Sequence, residues 1–227
     1  VAGRVRPFNA REKALNSKCI ISMSGQTTTI EDPETGKPSV FTFDYSYWSH
    51  DESDPHYATQ EMVYNDLGKL VLENAWKGYN ASLFAYGQTG SGKSYSMVGY
   101  GSPGIIPRAC DEIFKRIEQE ASDSVQFKVV ASMVEIYNEE IRDLFNPKNN
   151  PAHGLKLREH PVTGPYVEEL SEIAVRTYDE ISQLMDKGSK ARTVAATNMN
   201  DNSSRAHTLF QIILTKTEID KERGKAT

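Results

Sequence analysis

Gly87-Gln88-Thr89-Gly90-Ser91-Gly92-Lys93-Ser94 is a complete G-x-x-x-x-G-K-[ST] sequence, and it follows directly on the apolar run Ala81-Ser82-Leu83-Phe84-Ala85-Tyr86. A strand that ends in such a loop and runs into a helix turns successive backbone N–H groups toward one point, where phosphate oxygens can sit. The glycines let the backbone wrap closely around an anion, Lys93 brings a mobile positive charge to the β- and γ-phosphates, and the Ser94 hydroxyl suits Mg²⁺. The stretch therefore predicts a nucleoside triphosphate site.

Outward from this loop, short apolar runs alternate with helical patterns. Val40-Phe41-Thr42-Phe43 is strand-like, and Val63, Leu67, Leu70 and Val71 form one face of a helix. Ala81 to Tyr86 is expected as the strand feeding the loop. Pro107 opens a helix with Cys110, Ile113, Phe114 and Ile117 on its apolar face, and Phe127 to Ile136 is nearly continuous enough to be a buried strand. Thr177 with Glu180 makes a capping box for a helix carrying Ile181, Leu184 and Met185, and Thr208 to Leu214 is a further strand. No internal repeat appears, and Asn146-Pro147-Lys148-Asn149-Asn150-Pro151 is short enough for a surface loop. The expectation is one α/β domain over residues 1–227, with a P-loop NTPase-type mixed central sheet and helices on both faces.

The 227 residues carry a net charge of −5, which argues against a polyanion-binding domain and so against nucleic acid. The two cysteines, Cys19 and Cys110, are far apart and in no metal-like spacing, so buried thiols in a reducing, cytoplasmic compartment are expected. No apolar stretch approaches the roughly 20 residues of a membrane span, so no membrane insertion is expected. The histidines have no zinc-type partners and read as surface or packing residues.

Read at greater length, the loop is Tyr86-Gly87-Gln88-Thr89-Gly90-Ser91-Gly92-Lys93-Ser94-Tyr95-Ser96-Met97, and it resembles the motor domain of kinesins. Other segments agree: Arg4-Val5-Arg6-Pro7 is similar to the adenine-contact motif of that family, Asn200-Asp201-Asn202-Ser203-Ser204-Arg205-Ala206-His207 to its first switch loop, and Glu135 to Leu144 to the strand before its tubulin-facing lobe. With Asp44 to His50, Pro165 to Glu168 and Ala191 to Asn200, the resemblance points to the organelle-transporting kinesin-3 branch and covers essentially the whole chain.

The resemblance implies ATP or ADP with Mg²⁺ as the bound nucleotide. It places the base between Pro7 and Tyr95 with Arg4 nearby and Arg6 in the same motif, an arrangement that uses stacking and cation–π attraction. It gives Ser204 as a second Mg²⁺ ligand beside Ser94, Ser203 and Asn200 as contacts to the γ-phosphate or the attacking water, and Arg205 as the partner of an acidic residue in a second switch. Ala206 departs from the serine usual before this histidine. Glu135 and Tyr137 are expected to be structural. The implied activity is microtubule-stimulated ATP hydrolysis, with tubulin as partner, a weak contact from Lys156 to Pro165, cargo adaptors bound through a tail, and a cytoplasmic, cytoskeletal location.

The family's second switch, Asp-x-x-Gly-x-Glu, does not occur in these residues. The chain is accordingly expected to be the N-terminal two-thirds of a motor, incomplete at the C-terminus and inactive alone, or to be completed by a partner segment. A rival reading is a nucleotide-gated microtubule-binding protein without productive turnover. A P-loop small-molecule kinase would want lid arginines after the loop, whereas Arg108, Arg116, Arg142 and Arg158 are scattered.

Overall fold

The computed structural model describes residues 1–198, 205–220 and 225–226. The chain forms two compact units, Val1–Arg108 and Ala109–Thr227.

In the first unit, β1 (Ala2–Val5) leads into the short helix α1 (Ala10–Ala14). That helix is closed by a reciprocal cap: Asn9 Oδ1 accepts from the Glu12 N–H and Glu12 Oε2 accepts from the Asn9 N–H. An antiparallel meander follows, β2 (Ile21–Ser24), β3 (Thr27–Glu31) and β4 (Pro38–Thr42), with Val40 and Phe41 exposed on its outer strand. Next, β5 (Tyr45–Trp48) lies parallel to β1 and sets Arg4 opposite Tyr47.

The helical face expected from Val63, Leu67, Leu70 and Val71 is displaced. Between α2 (Gln60–Val63) and α3 (Lys69–Trp76) the backbone opens into a π turn over Tyr64–Gly68. The buried residues become Val63, Tyr64, Gly68 and Leu72, while Leu70 stands 59% exposed. A π turn takes up more residues per revolution than an α turn, so side chains after it come into phase later than a 3.6-residue period places them. Gly68 permits this, because a Cβ there would collide with the Tyr64 ring.

Ala81 to Tyr86 forms no strand, contrary to expectation. A strand exists through its partner's hydrogen bonds, and among the described residues no strand pairs with this run. Phe84 and Tyr86 are 84% and 96% exposed, and only Leu83 of the run's large side chains is half-buried. Beyond it come α4 (Lys93–Met97), the two-residue strands β6 (Gly99–Tyr100) and β7 (Ser102–Pro103), and α5 (Ile105–Glu120), which begins two residues before Pro107 and continues into the second unit.

The second unit is built on β8 (Val125–Tyr137), the buried strand the sequence predicts. It folds back to β9 (Glu140–Asp143) through Asn138 and Glu139, both at positive φ (50° and 64°), the conformation of a type I′ hairpin turn. A one-turn 3₁₀ helix, Pro147–Asn149, occupies the expected loop. The hairpin of β10 (Leu157–His160) and β11 (Gly164–Val167) follows, then β12 (Ile173–Val175), which pairs with β8. Helix α6 (Tyr178–Asn198) starts with Thr177 Oγ1 accepting from the Glu180 N–H, while the Glu180 carboxylate accepts from the Arg176 N–H. Strand β13 (His207–Asp220) runs antiparallel to β8 from His207 opposite Ile136 to Glu218 opposite Val125, and its end pairs antiparallel with β14 (Lys225–Ala226).

Cys110, Phe114, Val129, Ala131, Met133, Phe145, Ile181 and Met185 are buried. Helix α6 packs so closely at Gly188 that a Cβ would strike the Met133 sulfur. Burial pushes the Cys110 thiol up to about 12, which keeps it protonated and inert. Cys19 is exposed, correcting the expectation of two buried thiols: it lies in the irregular stretch before β2, where Lys18 and Ile20 are exposed as well. Asp143 is buried at 2% exposure, and its carboxylate accepts from three backbone N–H groups, those of Phe145 (2.8 Å), Asn146 (3.1 Å) and Ser171 (2.9 Å). Asn150 completes the knot by accepting from the Asp143 N–H (2.7 Å) and donating to the Asp143 carbonyl (3.0 Å). Glu135 is also buried, with Arg192 Nε 3.8 Å away; burial raises its carboxyl, opposed by Arg192 and Arg142. No described helix is long and apolar enough to cross a membrane.

Candidate nucleotide-binding site

The phosphate loop has the backbone its glycines allow. Gly87, Gly90 and Gly92 sit at φ 153°, 76° and 96°, and Gly92 is the left-handed residue from which α4 departs. A Cβ on Gly87 would come within 2.5 Å of Ser91 Oγ, so side-chain-free backbone is needed for the loop to close on itself. Within the turn, the Ser91 N–H donates to the Gln88 carbonyl (3.1 Å). Lys93 Nζ lies across the loop, donating to the Gly87 carbonyl (2.7 Å) and the Gln88 carbonyl (2.9 Å). Gln88, Thr89 and Gly90 are exposed, and Ser94 is half-buried in the helix beside Lys93. A loop whose glycines all sit at positive φ, with one ammonium and one hydroxyl at its helical side, fits a polyphosphate and a divalent cation.

The structure brings the two arginines of the Arg4 to Pro7 segment to different places. Arg6 serves the loop. Its Nε donates to the Gly90 carbonyl (2.6 Å), Nη1 to the Pro7 carbonyl (2.7 Å), and Nη1 and Nη2 form a two-bond fork with the Glu12 carboxylate, 2.7 Å each. This guanidinium therefore tethers the turn at Gly90 to the cap of α1. Pro7 itself is exposed at the end of β1.

Arg4 lies inward. Its Cζ stands over the Tyr95 ring, 5.3 Å from the centroid, within cation–π range. Nε donates to Ser49 Oγ (3.0 Å), and Nη1 donates to Gln60 Oε1 (2.7 Å) and Ser96 Oγ (3.0 Å). Burial lowers its pKa from the ordinary arginine value, an effect that the neighbouring tyrosines oppose. Neither Gln60 nor Ser49 is visible as a site residue from sequence spacing. The one available hint is Thr59, whose hydroxyl caps α2 and thereby fixes Gln60 at the first helical position.

Asn200, Ser203 and Ser204 lie outside the described residues. Arg205 is exposed just before β13, and Ala206 beside it is half-buried. Among the described residues no group of His, Cys, Asp and Glu could hold a metal ion.

The Arg6–Glu12 fork has a pH signature. The hydrogen bonds from Arg6, and then the Asn9 N–H, hold the Glu12 carboxyl down at about 2. A carboxylate depressed in the folded state contributes its stability above its ordinary range near 4.5 and loses it as pH falls through the folded value. Glu12 should thus remain ionised at about pH 3.5, read from its side-chain carboxyl carbon shift, while unpaired glutamates are largely protonated. A Glu12 midpoint above about 4 would show that the tether is not formed.

The comparisons with known proteins agree with this geometry. The Kinesin motor domain family model matches residues 4–227. The chain is 55% identical over 241 residues to Kinesin-related protein 1 of Dictyostelium discoideum, covering 100% of this chain and 11% of that protein. It is 53% identical over 233 residues to Kinesin-like protein KIF1A of Rattus norvegicus, covering 100% of this chain and 14% of that one. Among solved structures, KIF14 residues 391–755 with ADP in complex with a microtubule superpose with a TM-score of 0.87 at 43% identity, over 99% of this chain and 63% of that chain. The KIF14 dimer in its two-heads-bound state, with AMP-PNP and a microtubule, gives the same TM-score at 44% identity, over 97% and 61%. The chain thus spans a small part of the curated relatives it matches, and the match extends over its whole length. It belongs to the kinesin motor-domain family, in the kinesin-3 branch, and its fold is the α/β core of that family.

Proposed function

We propose that this chain is the nucleotide-binding part of a microtubule motor that hydrolyses Mg-ATP and couples hydrolysis to movement along microtubules, in the cytoplasm, with organelle or vesicle cargo held by other segments through adaptors. The observation that carries the reading is the glycine cradle with Lys93 lying across it, in a chain of the kinesin motor family. The ADP and AMP-PNP complexes of KIF14 on microtubules support it.

In this reading the loop N–H groups and Lys93 grip the β- and γ-phosphates, Tyr95 stacks on the base beside Pro7, and Arg6 keeps the loop's crest in place through Gly90. Ser94 and, by the family resemblance, Ser204 would hold Mg²⁺, which when bound would neutralise phosphate charge. Asn200 and Ser203 face the γ-phosphate and the attacking water, and Arg205 acts when the switch loops close. The second reading, a microtubule binder gated by nucleotide without turnover, keeps the cradle and lacks that closure.

Phosphate release by the full-length protein separates the two. Microtubules should accelerate it many-fold, and Arg205→Ala should suppress the stimulated rate while leaving ADP affinity within about twofold, since a group that acts only in the closed state contributes little to ground-state binding. Full stimulated release in Arg205→Ala removes the switch role of residue 205, and no stimulation in the parent favours the second reading.

A further inference from the structure

Three polar side chains of the first unit are buried: Thr28, Ser49 and Gln60. Two of them meet at Arg4. Gln60, only 4% exposed, uses both ends of its amide: Oε1 accepts from Arg4 Nη1 at 2.7 Å, and Nε2 donates to the Tyr95 carbonyl at 2.6 Å. The Tyr95 carbonyl belongs to the last turn of the five-residue helix α4, where carbonyls have no partner within the helix. Ser49, 2% exposed, accepts from Arg4 Nε and donates to the Ala58 carbonyl at 2.6 Å. The Ala58 N–H in turn donates to the Trp48 carbonyl at 2.7 Å. Two branches of hydrogen bonds thus run from Arg4, one to the end of β5 and the other to the start of α2 and to α4, and the Arg4 guanidinium stands over the Tyr95 ring.

We propose that Gln60 is a positioning residue for the base subsite: by bridging Arg4 to the Tyr95 carbonyl it fixes the guanidinium and the aromatic ring in one arrangement, ready for a purine. The inference rests on the nucleotide reading above and deepens it. The chemistry needs an amide, because one end must accept from a cation while the other donates to a carbonyl. A carboxylate would satisfy Arg4 and face the Tyr95 carbonyl with like charge. A hydrocarbon would strand both a buried guanidinium donor and a buried carbonyl. Arg4 Nη2 is buried without a protein partner, so Nε and Nη1 carry the whole anchorage and the loss of Gln60 removes the shortest of its bonds. Lys93 and the loop glycines are tied to other groups and do not pass through Gln60.

The effect should therefore fall on the nucleoside end of the ligand and spare the phosphates. In the full-length protein, titration calorimetry with ADP and with inorganic pyrophosphate reads the two ends separately. Gln60→Leu should weaken ADP about tenfold or more and leave pyrophosphate within about twofold, a change in ratio that general loss of folded protein cannot produce. Gln60→Glu, isosteric and so the variant to use if the leucine form does not fold, should also weaken ADP selectively. ADP affinity retained in either variant, or equal weakening of both ligands, overturns the inference alone. A parent protein that binds neither ligand overturns the nucleotide reading and this inference together.

Discussion

Lys93→Ala should lose ATP affinity by roughly a hundredfold or more and turnover altogether. In the structure its ammonium bonds to the carbonyls of Gly87 and Gln88, so it already lies along the groove that the loop forms. Moving it from those carbonyls onto phosphate oxygens exchanges two neutral acceptors for charged ones, and a hydrogen bond to a charged group is worth about 1.5–3 kcal/mol. At about 1.4 kcal/mol per decade, two such bonds account for the expected loss. Lys93 is also the only cation in the sequence from Gly87 to Ser94, so nothing in the loop replaces it. Arg6 cannot swing in, since its guanidinium is held by Glu12 and the Gly90 and Pro7 carbonyls. Binding of a fluorescent ATP analogue and single-turnover hydrolysis in the full-length protein check this. Unchanged affinity would mean that the phosphates do not lie in the Gly87 to Ser94 loop.

Asp143→Ala should cost about 2–4 kcal/mol of stability, since a buried backbone donor left without its acceptor costs about 1–3 kcal/mol and the more exposed donors less. The carboxylate is the common acceptor for the N–H groups of Phe145, Asn146 and Ser171. Alanine leaves these donors without their acceptor, the Phe145 N–H in the interior beside a side chain only 1% exposed. The Asp143→Asn change keeps one oxygen for the Phe145 and Asn146 N–H groups and turns an NH2 toward the Ser171 N–H, so its loss should be smaller than that of alanine but not zero. Chemical denaturation followed by Trp and Tyr fluorescence reads the difference, and a loss under about 1 kcal/mol for Asp143→Ala would show that water or a shifted backbone satisfies these groups.

The phosphate loop stands out in the sequence because it is contiguous and made of residue types whose chemistry is unusual in combination. Strand β8 is legible because burial on both faces of its middle writes itself as a nearly unbroken apolar run, and β13 carries an equally apolar run although Leu209 is 55% exposed. Ala81 to Tyr86 carries the same signature and yet forms no strand, since an apolar run specifies what a segment would gain from a partner and not whether one is paired to it. The division of roles between Arg4 and Arg6 is illegible for another reason. In an alternating segment the two side chains share a face, and only the distant residues they meet, Gln60 and Ser96 for one and Glu12 and Gly90 for the other, divide their tasks. Gln60 is the extreme case: a glutamine after a capping threonine reads as a solvated first turn, and burial at 4% follows from contacts 35 and 56 residues away in the chain.

The π turn at Tyr64–Gly68 behaves as a phase plate inside a single rod. Residues on its two sides count their interior positions on different clocks, so a one-residue gap or insertion within Tyr64–Gly68 would re-time everything from Lys69 to Trp76 while leaving Gln60 and its cap untouched. A lineage that carried an ordinary α turn here would have to move its inward leucine from position 72 to keep the same side of the rod apolar. Covariation between the length of this turn and the placement of that leucine is the trace the device should leave in its relatives.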